Sequence, residues 1–224
     1  MSNFYIVSTP IGNLKDITLR AIEVLREVDI ILCEDTRVTK KLLVTYEIKK
    51  SILSYHQHSK LSKIDYILSL LKEGKNLAMV SDAGTPTISD PGSFLVNQIV
   101  KNLGDEVMII PIPGVSAVLS ALAVSGFDVN KFKFLGFPPH KKGRETFFND
   151  VNNEDGVVVF YESKHRAEKT LFLLSQLIGD RQVVLCRELT KIFETIYRGT
   201  ANEVLEKLKN DKILGEFVFV IDKK

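Results

Sequence analysis

The alternation of strand-like and helix-like segments is the feature that most constrains the fold of this chain. Short apolar runs at residues 4–7, 30–33, 52–55, 77–80 and 107–110 alternate with stretches whose apolar residues recur at helical spacing. A parallel connection between two strands needs a crossover about as long as a helix. The first half of the chain therefore predicts a mainly parallel α/β lobe, with Asp16 expected to cap its first helix.

The loops that follow these strands share an unusual composition. Those after Val7, Cys33, Val80 and Ile110 are rich in Gly, Pro, Ser, Thr and Asp. In parallel α/β sheets ligands bind beyond the carboxyl ends of the strands. We expect these loops to meet along one rim and to form a binding site there.

The pattern changes after Phe127, where strand-like runs begin to follow each other more closely. The runs at 183–187 and 193–198 leave no room for a crossover helix, so an antiparallel pair is expected. We predict a second α/β lobe with a mixed sheet. The expected division is an N-terminal lobe over residues 1–115 and a C-terminal lobe over residues 116–224.

Bulk properties exclude several classes of protein. With 224 residues, 45% hydrophobic and 26% charged, the composition is that of a globular chain with a real core and not of a disordered one. No apolar stretch is long enough to cross a bilayer, and the first residues lack the basic and apolar regions of a signal peptide. Cys33 and Cys186 each lie in an apolar run and are expected to be buried, reduced thiols. We expect a cytoplasmic protein that does not associate with membranes.

Residues 81–92, a loop rich in Gly and Pro, carry the most information about a ligand. Gly84 allows a ligand to approach the backbone closely. Asp90 followed by Pro91 is typical of a helix N-cap, and we interpret the two residues structurally. The chain has no Gly-x-Gly-x-x-Gly after a strand and no P-loop, which argues against a dinucleotide or polyphosphate site. A cradle for a compact ligand is the better interpretation.

Seven motifs together resemble those of the ribosomal small-subunit methyltransferase I family. They are TPIGNL at 9–14, CEDTR at 33–37, the loop at 81–92, PIPGVSA at 111–117, YES at 161–163, HR at 165–166 and RELTK at 187–191. The resemblance runs from Phe4 to Ile221. It implies the tetrapyrrole-methylase fold, a two-lobed class III methyltransferase with the methyl donor in the cleft between the lobes. It also implies transfer of a methyl group from S-adenosyl-L-methionine to the 2′-oxygen of cytidine 1402 in 16S rRNA, and a homodimer.

The resemblance further implies which residues bind the donor. In the first lobe these are Pro10, Asp82, Ala83, Gly84, Thr85, Ile88, Pro113 and Gly114. Near and beyond the boundary they are Ser116, Ala117, Tyr161, Leu189 and Thr190. Backbone groups and small side chains of this kind can hold the amino-acid and adenosine parts of the donor while the sulfonium methyl stays accessible.

Candidate catalytic residues follow from the chemistry of methyl transfer to a hydroxyl, a poor nucleophile that needs positioning and a base. Asp35 is our first candidate for the base, with Glu34 and Arg37 on the same rim; Asp35 fits an N-cap equally well. Lys191 is a candidate for stabilising oxyanion charge, together with Glu188. An ordinary cross-strand ion pair explains Lys191 and Glu188 at least as well.

Local charge gives a moderate signal for RNA, since the formal net charge is only +2. Lys141, Lys142 and Arg144 lie in a segment, residues 131–144, that has no acidic residue, and they are predicted to contact phosphates. Its phenylalanines Phe132, Phe134 and Phe137 are expected in the core.

Two histidines, His56 and His58, lie near the end of the third strand. They lack further ligands for a metal, so no metal site is predicted. An RNA contact for them rests on the resemblance alone.

Two other functions remain open. A methyltransferase of the same fold acting on a tetrapyrrole carbon is the nearest alternative, although the basic segment argues against it. A non-catalytic ribosome-binding module is the other, and the intact donor motifs argue against that. The modest net charge favours the assembled small ribosomal subunit over free rRNA as substrate.

Overall fold

The computed structural model describes residues 1–56, 61–90, 92–211 and 214–224. The chain divides into two compact units, Met1–Ser116 and Ala117–Lys224. The predictions made for His58 and Pro91 lie outside the described residues. Within the described ranges, no helix is both long and apolar enough to span a membrane.

The first unit is built on a parallel sheet of five strands in the order β3-β2-β4-β1-β5. The strands are β1 (Ser2–Val7), β2 (Ile30–Cys33), β3 (Ser51–Ser54), β4 (Leu77–Val80) and β5 (Val107–Ile112). The helices are α1 (Leu19–Glu27), α2 (Thr36–Thr45), α3 (Leu61–Lys72) and α4 (Gly92–Leu103). Single 3-10 turns occupy Leu14–Asp16 and Gly104–Glu106. The prediction of a parallel lobe is confirmed.

Both faces of this sheet are covered, as the fully apolar strands β2 and β4 require. Along β4 the side chains alternate between two cores. Leu77 and Met79 pack with α3 and α4 on one face. Ala78 and Val80 pack with α1 and α2 on the other. The loops at the carboxyl ends of the strands are thus fixed to a sheet that is buried on both sides.

The first helix begins two residues later than predicted. The Thr18 hydroxyl accepts a hydrogen bond from the Ala21 amide at 3.1 Å, so Thr18 is the N-cap of α1. Asp16 instead lies inside the short 3-10 turn, and the prediction that it caps the helix was wrong. The physical reason is the backbone: Thr18 is extended, as an N-cap requires, whereas Asp16 is still part of the preceding turn.

The second unit contains a mixed sheet of five strands in the order β6-β7-β10-β8-β9. Only β6 and β7 pair in parallel, and the other pairs are antiparallel, as predicted for this lobe. The strands are β6 (Phe132–Phe134), β7 (Val157–Ser163), β8 (Gln182–Arg187), β9 (Thr195–Thr200) and β10 (Glu216–Ile221). The helices are α5 (Ala117–Ser125), α6 (Arg144–Asn153), α7 (Ala167–Leu177) and α8 (Ala201–Lys209). The sequence analysis did not anticipate α6.

The core of the second unit is aromatic, but it does not include all the phenylalanines expected there. Phe160 stacks on Phe219 with ring centroids 4.9 Å apart. Phe132 and Phe137 are 42% and 53% exposed, so the expectation that they lie in the core was wrong. Strand β6 is a three-residue strand at the edge of its sheet, so its side chains are only partly covered. Cys33 and Cys186 are buried free thiols, as predicted.

Candidate active site

The loops after β1, β4 and β5 are joined by a dense set of hydrogen bonds. Thr9 and Gly84 form an antiparallel bridge, with N–H to carbonyl distances of 2.9 and 3.0 Å. The hydroxyls of Ser8 and Thr85 lie 3.0 Å apart, and the Ser8 amide donates to the Ile112 carbonyl at 3.1 Å. The three loops therefore form one continuous backbone surface at the carboxyl edge of the sheet.

Two glycines make this close packing possible. Gly84 has a φ of +81°, a conformation that side chains disfavour. Gly114 approaches the β1 loop so closely that an added Cβ would lie 2.9 Å from the Ser8 Cβ. Both glycines therefore have a structural reason, and of the two Gly114 is exposed at the surface while Gly84 is buried.

The loop after β2 joins the same surface through Asp82, whose carboxylate accepts the Asp35 amide at 3.1 Å. The loops after Val7, Cys33, Val80 and Ile110 therefore meet along one edge, and that prediction is confirmed. We call this edge the rim. The donor-binding candidates of the first unit lie in its loops: Pro10, Asp82, Ala83, Gly84, Thr85, Ile88, Pro113, Gly114 and Ser116.

The carboxylates of the rim differ in basicity. Hydrogen bonds from the Arg37 side chain and backbone lower the pKa of Asp35 to about 2. Partial burial, and then the charges of Asp82 and Asp90, raise the pKa of Glu34. Burial also raises the pKa of Asp82. Because a carboxylate with a pKa near 2 is a weak proton acceptor, the directions of these pKa shifts favour Glu34 over Asp35 for that role.

Asp35 has a clear structural function. Its carboxylate accepts the Arg37 amide at 2.8 Å and pairs with the Arg37 guanidinium at 2.6 Å. Asp35 is thus the N-cap of α2, which is one of the two interpretations left open by the sequence.

A small pocket lies beside Glu34. It is lined by Cys33, Glu34, Tyr55, Met79, Val80, Asp90 and Gly92. Asp90 accepts the Gly92 amide at 2.7 Å and the Thr87 amide at 3.3 Å, which supports its structural interpretation. His56 is exposed, and its electrostatic interaction with Glu34 lowers the pKa of that carboxyl, against the larger effects that raise it. Tyr55 was not identified from the sequence, because an isolated tyrosine after a strand carries no distinctive signal.

The candidates of the second unit lie around the ends of β7 and β8. Ala117 begins α5, and the backbone of the next residue, Val118, hydrogen-bonds to the phenol of Tyr161 on β7. Leu189 is buried in the turn after β8, and Thr190 has a φ of +66°.

Lys191 is held by two carboxylates. Its ammonium lies 2.8 Å from Glu188 and 2.9 Å from Glu216 on β10. Burial of Glu188 favours a higher pKa, but the hydrogen bonds from Lys191 and from the Glu216 amide outweigh it and lower the pKa. The pair with Glu188 lies within one turn and is not the cross-strand pair considered above. Two bound carboxylates neutralise the charge that an oxyanion would need.

Arg144 does not have the role assigned to it. Only 20% of its side chain is exposed, and its guanidinium contacts Glu162 at 3.4 Å and the Thr170 hydroxyl at 2.8 Å. The physical reason is the buried Glu162 carboxylate, which requires cationic partners. With its guanidinium bound there, Arg144 is not free to make the phosphate contact predicted for it. Lys141 and Lys142 are exposed, and in the described parts of the chain neither forms an ion pair.

A second basic surface lies on α2, directly after the rim. Arg37, Lys40 and Lys41 are exposed on one side of the helix, while Leu42 and Leu43 are buried on the other. Lys40 and Lys41 have no ion pair with any described residue. The sequence analysis missed this surface, because the two lysines are an ordinary pattern for a solvated helix face. We call Lys40 and Lys41 the α2 lysines.

Comparison with known proteins identifies the family. Residues 3–205 match the sequence profile of the Tetrapyrrole (Corrin/Porphyrin) Methylases. The ribosomal RNA small subunit methyltransferase I of Thermotoga maritima is 48% identical over the whole of both chains. That of Bacillus subtilis is 45% identical over 99% of this chain and 75% of its own length. The chain belongs to the ribosomal RNA small subunit methyltransferase I family.

Solved structures agree with the tetrapyrrole-methylase fold. Uroporphyrin-III-C-methyltransferase from Thermus thermophilus is similar with a TM-score of 0.68 and 16% identity, over 100% of this chain and 95% of the other. Diphthine synthase gives a TM-score of 0.75 at 13% identity, over 99% and 90%. At these identities the likeness concerns the fold alone. Within the described residues, no group of His, Cys, Asp and Glu is arranged to hold a metal ion.

Proposed function

We propose that this protein transfers a methyl group from S-adenosyl-L-methionine to the 2′-oxygen of cytidine 1402 in 16S rRNA. The observation that carries the proposal is the 48% identity over full length to a relative named for methylation of small-subunit ribosomal RNA. The nucleotide and the ribose oxygen come from the family resemblance of the seven motifs. The rim supplies surfaces that fit this chemistry.

The rim residues fit a compact, cationic donor. Gly114 exposes backbone at the rim, and the buried Gly84 holds the neighbouring loop in place through its bridge to Thr9. The carboxylate of Asp82 provides a negative charge for an ammonium or sulfonium group. The bound donor supplies an electrophilic methyl group. The small side chains and backbone of the rim then orient it and leave the methyl uncovered.

Glu34 is our candidate for the proton acceptor. It stands at the carboxyl end of β2, beside Asp82, and its raised pKa makes it a better base than Asp35. In the transfer, the ribose oxygen would bond to the methyl carbon while the carbon–sulfur bond breaks to leave a neutral thioether, and the Glu34 carboxylate would accept the hydroxyl proton. Arg37 is bound to Asp35 and contributes by fixing the start of α2.

Phosphate contacts are assigned to exposed lysines. Lys141 and Lys142 form one group, and the α2 lysines form another within about 10 Å of Asp35 along the helix axis. Both groups attract a polyanion through charge that no described acidic partner neutralises. We also assign an RNA contact to His56. A cytoplasmic homodimer acting on the assembled small subunit completes the proposal.

The test is methyl transfer from labelled donor to small ribosomal subunits that lack the modification, followed by mapping of the labelled nucleotide. Uroporphyrinogen serves as the competing acceptor, because the fold is shared with tetrapyrrole methyltransferases. Label in uroporphyrinogen and not in rRNA would favour that alternative. Failure to bind the donor would favour a non-catalytic ribosome-binding module.

A further inference from the structure

The second unit buries one carboxylate in a network of cations. Glu162, on β7, is 1% exposed. Its oxygens accept hydrogen bonds from the Thr170 hydroxyl at 2.9 Å and from the Ser163 amide at 2.7 Å. They also pair with the guanidinium groups of Arg166 at 2.7 Å and Arg144 at 3.4 Å.

The two arginines extend this network to the backbone of the basic loop, residues 136–143. Arg166 donates to the Pro138 carbonyl at 3.0 Å, and Arg144 donates to the Pro139 carbonyl at 3.3 Å. These two prolines directly precede the segment that carries Lys141 and Lys142. The carbonyl positions before the lysines are therefore set by groups that Glu162 holds.

The ends of the basic loop are fixed as well. The Tyr161 amide donates to the Gly136 carbonyl at 2.8 Å, which joins the start of the loop to β7. The Arg144 amide donates to the Lys141 carbonyl at 3.2 Å, which joins its end to α6. The loop is thus held at both ends and at the carbonyls of Pro138 and Pro139, while its lysine side chains stay exposed.

Stability alone is a weak reason for this arrangement. Buried ion pairs contribute little net stability, because desolvation offsets their attraction, and apolar residues of similar volume stabilise a core equally well. Apolar residues would not bind the carbonyls of Pro138 and Pro139. One carboxylate also neutralises only one of the two guanidinium groups, so the network carries a net positive charge where it contacts the basic loop.

We propose that Glu162 is a positioning residue for RNA binding. Acting through Arg144 and Arg166, it holds the basic loop in the conformation that presents Lys141 and Lys142 to RNA phosphates. The inference rests on the proposed function, since it assigns these lysines to an RNA substrate.

The test is a double-mutant cycle in the full-length protein, combining Glu162→Gln with the pair Lys141→Ala and Lys142→Ala. Glutamine keeps the shape of the side chain and removes its charge. We expect Glu162→Gln to raise KM for small ribosomal subunits about 10-fold, while kcat and donor affinity change less than about 2-fold. The slope of log K for subunit binding against log salt concentration should become shallower by about 0.7 for each phosphate that the variant no longer binds. Removing the lysines in the Glu162→Gln background should add little, because they are already misplaced there.

A matched control separates positioning from general stability. Tyr197→Phe removes a 2.6 Å hydrogen bond to Asp211 in another ion-pair network of the same unit, the one that includes Arg187. It should lower Tm without changing KM for the subunits or the salt slope. Should Glu162→Gln fail to fold, Thr170→Val removes a hydroxyl that contacts both Glu162 and Arg144 and is measured instead.

Two results would overturn the inference. Additive effects of Glu162→Gln and the lysine substitutions would mean that Glu162 does not act through the loop. A loss confined to kcat or donor affinity would mean the same. The proposed function fails in a different way, because the unaltered protein would then methylate no RNA, and the inference would fall with it.

Discussion

At the scale of single residues, neighbouring carboxylates at the end of β2 have different chemistry. Asp35 is held ionised by Arg37, whereas burial and nearby carboxylates raise the pKa of Glu34. We predict that Glu34→Gln lowers kcat about 100-fold with little change in donor affinity, because it removes the proton acceptor. Glu34 must be deprotonated to act. The rate should therefore rise with pH through its raised pKa and level off above it.

The pH profile of kcat checks this assignment. In Glu34→Gln the rising limb should disappear. Asp35→Asn is the matched control: asparagine also caps helices, so the variant should lose the Arg37 ion pair and keep kcat within a few-fold. If Asp35→Asn abolished activity and Glu34→Gln did not, the base would be Asp35, as the sequence alone suggested.

Two glycines with nearly the same left-handed backbone conformation offer a test of the rim. Gly84 and Gly74 have φ values of +81° and +85°, but only Gly84 lies in the rim, and a Cβ added at Gly74 would meet no atom within 4 Å. Replacing either one by alanine should cost about 1–2 kcal/mol of stability, the penalty of a left-handed conformation. Calorimetric titration should find donor affinity reduced in Gly84→Ala only. Equal donor affinity in both variants would remove Gly84 from the donor site.

At the scale of secondary-structure elements, α2 joins the rim to a basic surface. Replacing both α2 lysines by alanine should weaken binding of small ribosomal subunits and lower the salt slope by about 0.7–0.9 for each phosphate that is no longer bound. Donor affinity should not change. The measurement is a binding titration at several salt concentrations.

The control for the α2 lysines comes from the same unit. Lys72 on α3 and Lys101 on α4 are exposed, but their helices cover the opposite face of the sheet. Replacing these two by alanine removes the same charge and should leave the salt slope unchanged. Equal slopes for the two double variants would show that α2 makes no phosphate contact.

Elements with a strong periodic pattern could be predicted from the sequence, and those fixed by their surroundings could not. The buried strand β4 and the helix α3 follow directly from apolar spacing. The edge strand β6 does not bury its phenylalanines, and no local pattern reveals that. Helix α6 was missed because its first residue, Arg144, was assigned to the basic segment of residues 131–144.

The candidate site was predictable to the same degree. The rim follows from strand order, because parallel strands bring their carboxyl ends together. The pairing of Arg144 with Glu162 joins residues 18 positions apart and depends on tertiary packing. A basic residue bound to a buried carboxylate and one free to bind phosphate look alike in a sequence.

At the scale of the whole molecule, the central claim is that this chain methylates a ribose of small-subunit rRNA. The direct measurement is transfer of labelled methyl groups to unmodified small ribosomal subunits, with the modified position mapped by primer extension at low nucleotide concentration. We predict label on one 2′-oxygen, that of cytidine 1402, and its loss when Glu34 is replaced by glutamine. Label on a base, on another nucleotide, or only on a tetrapyrrole acceptor would contradict the account.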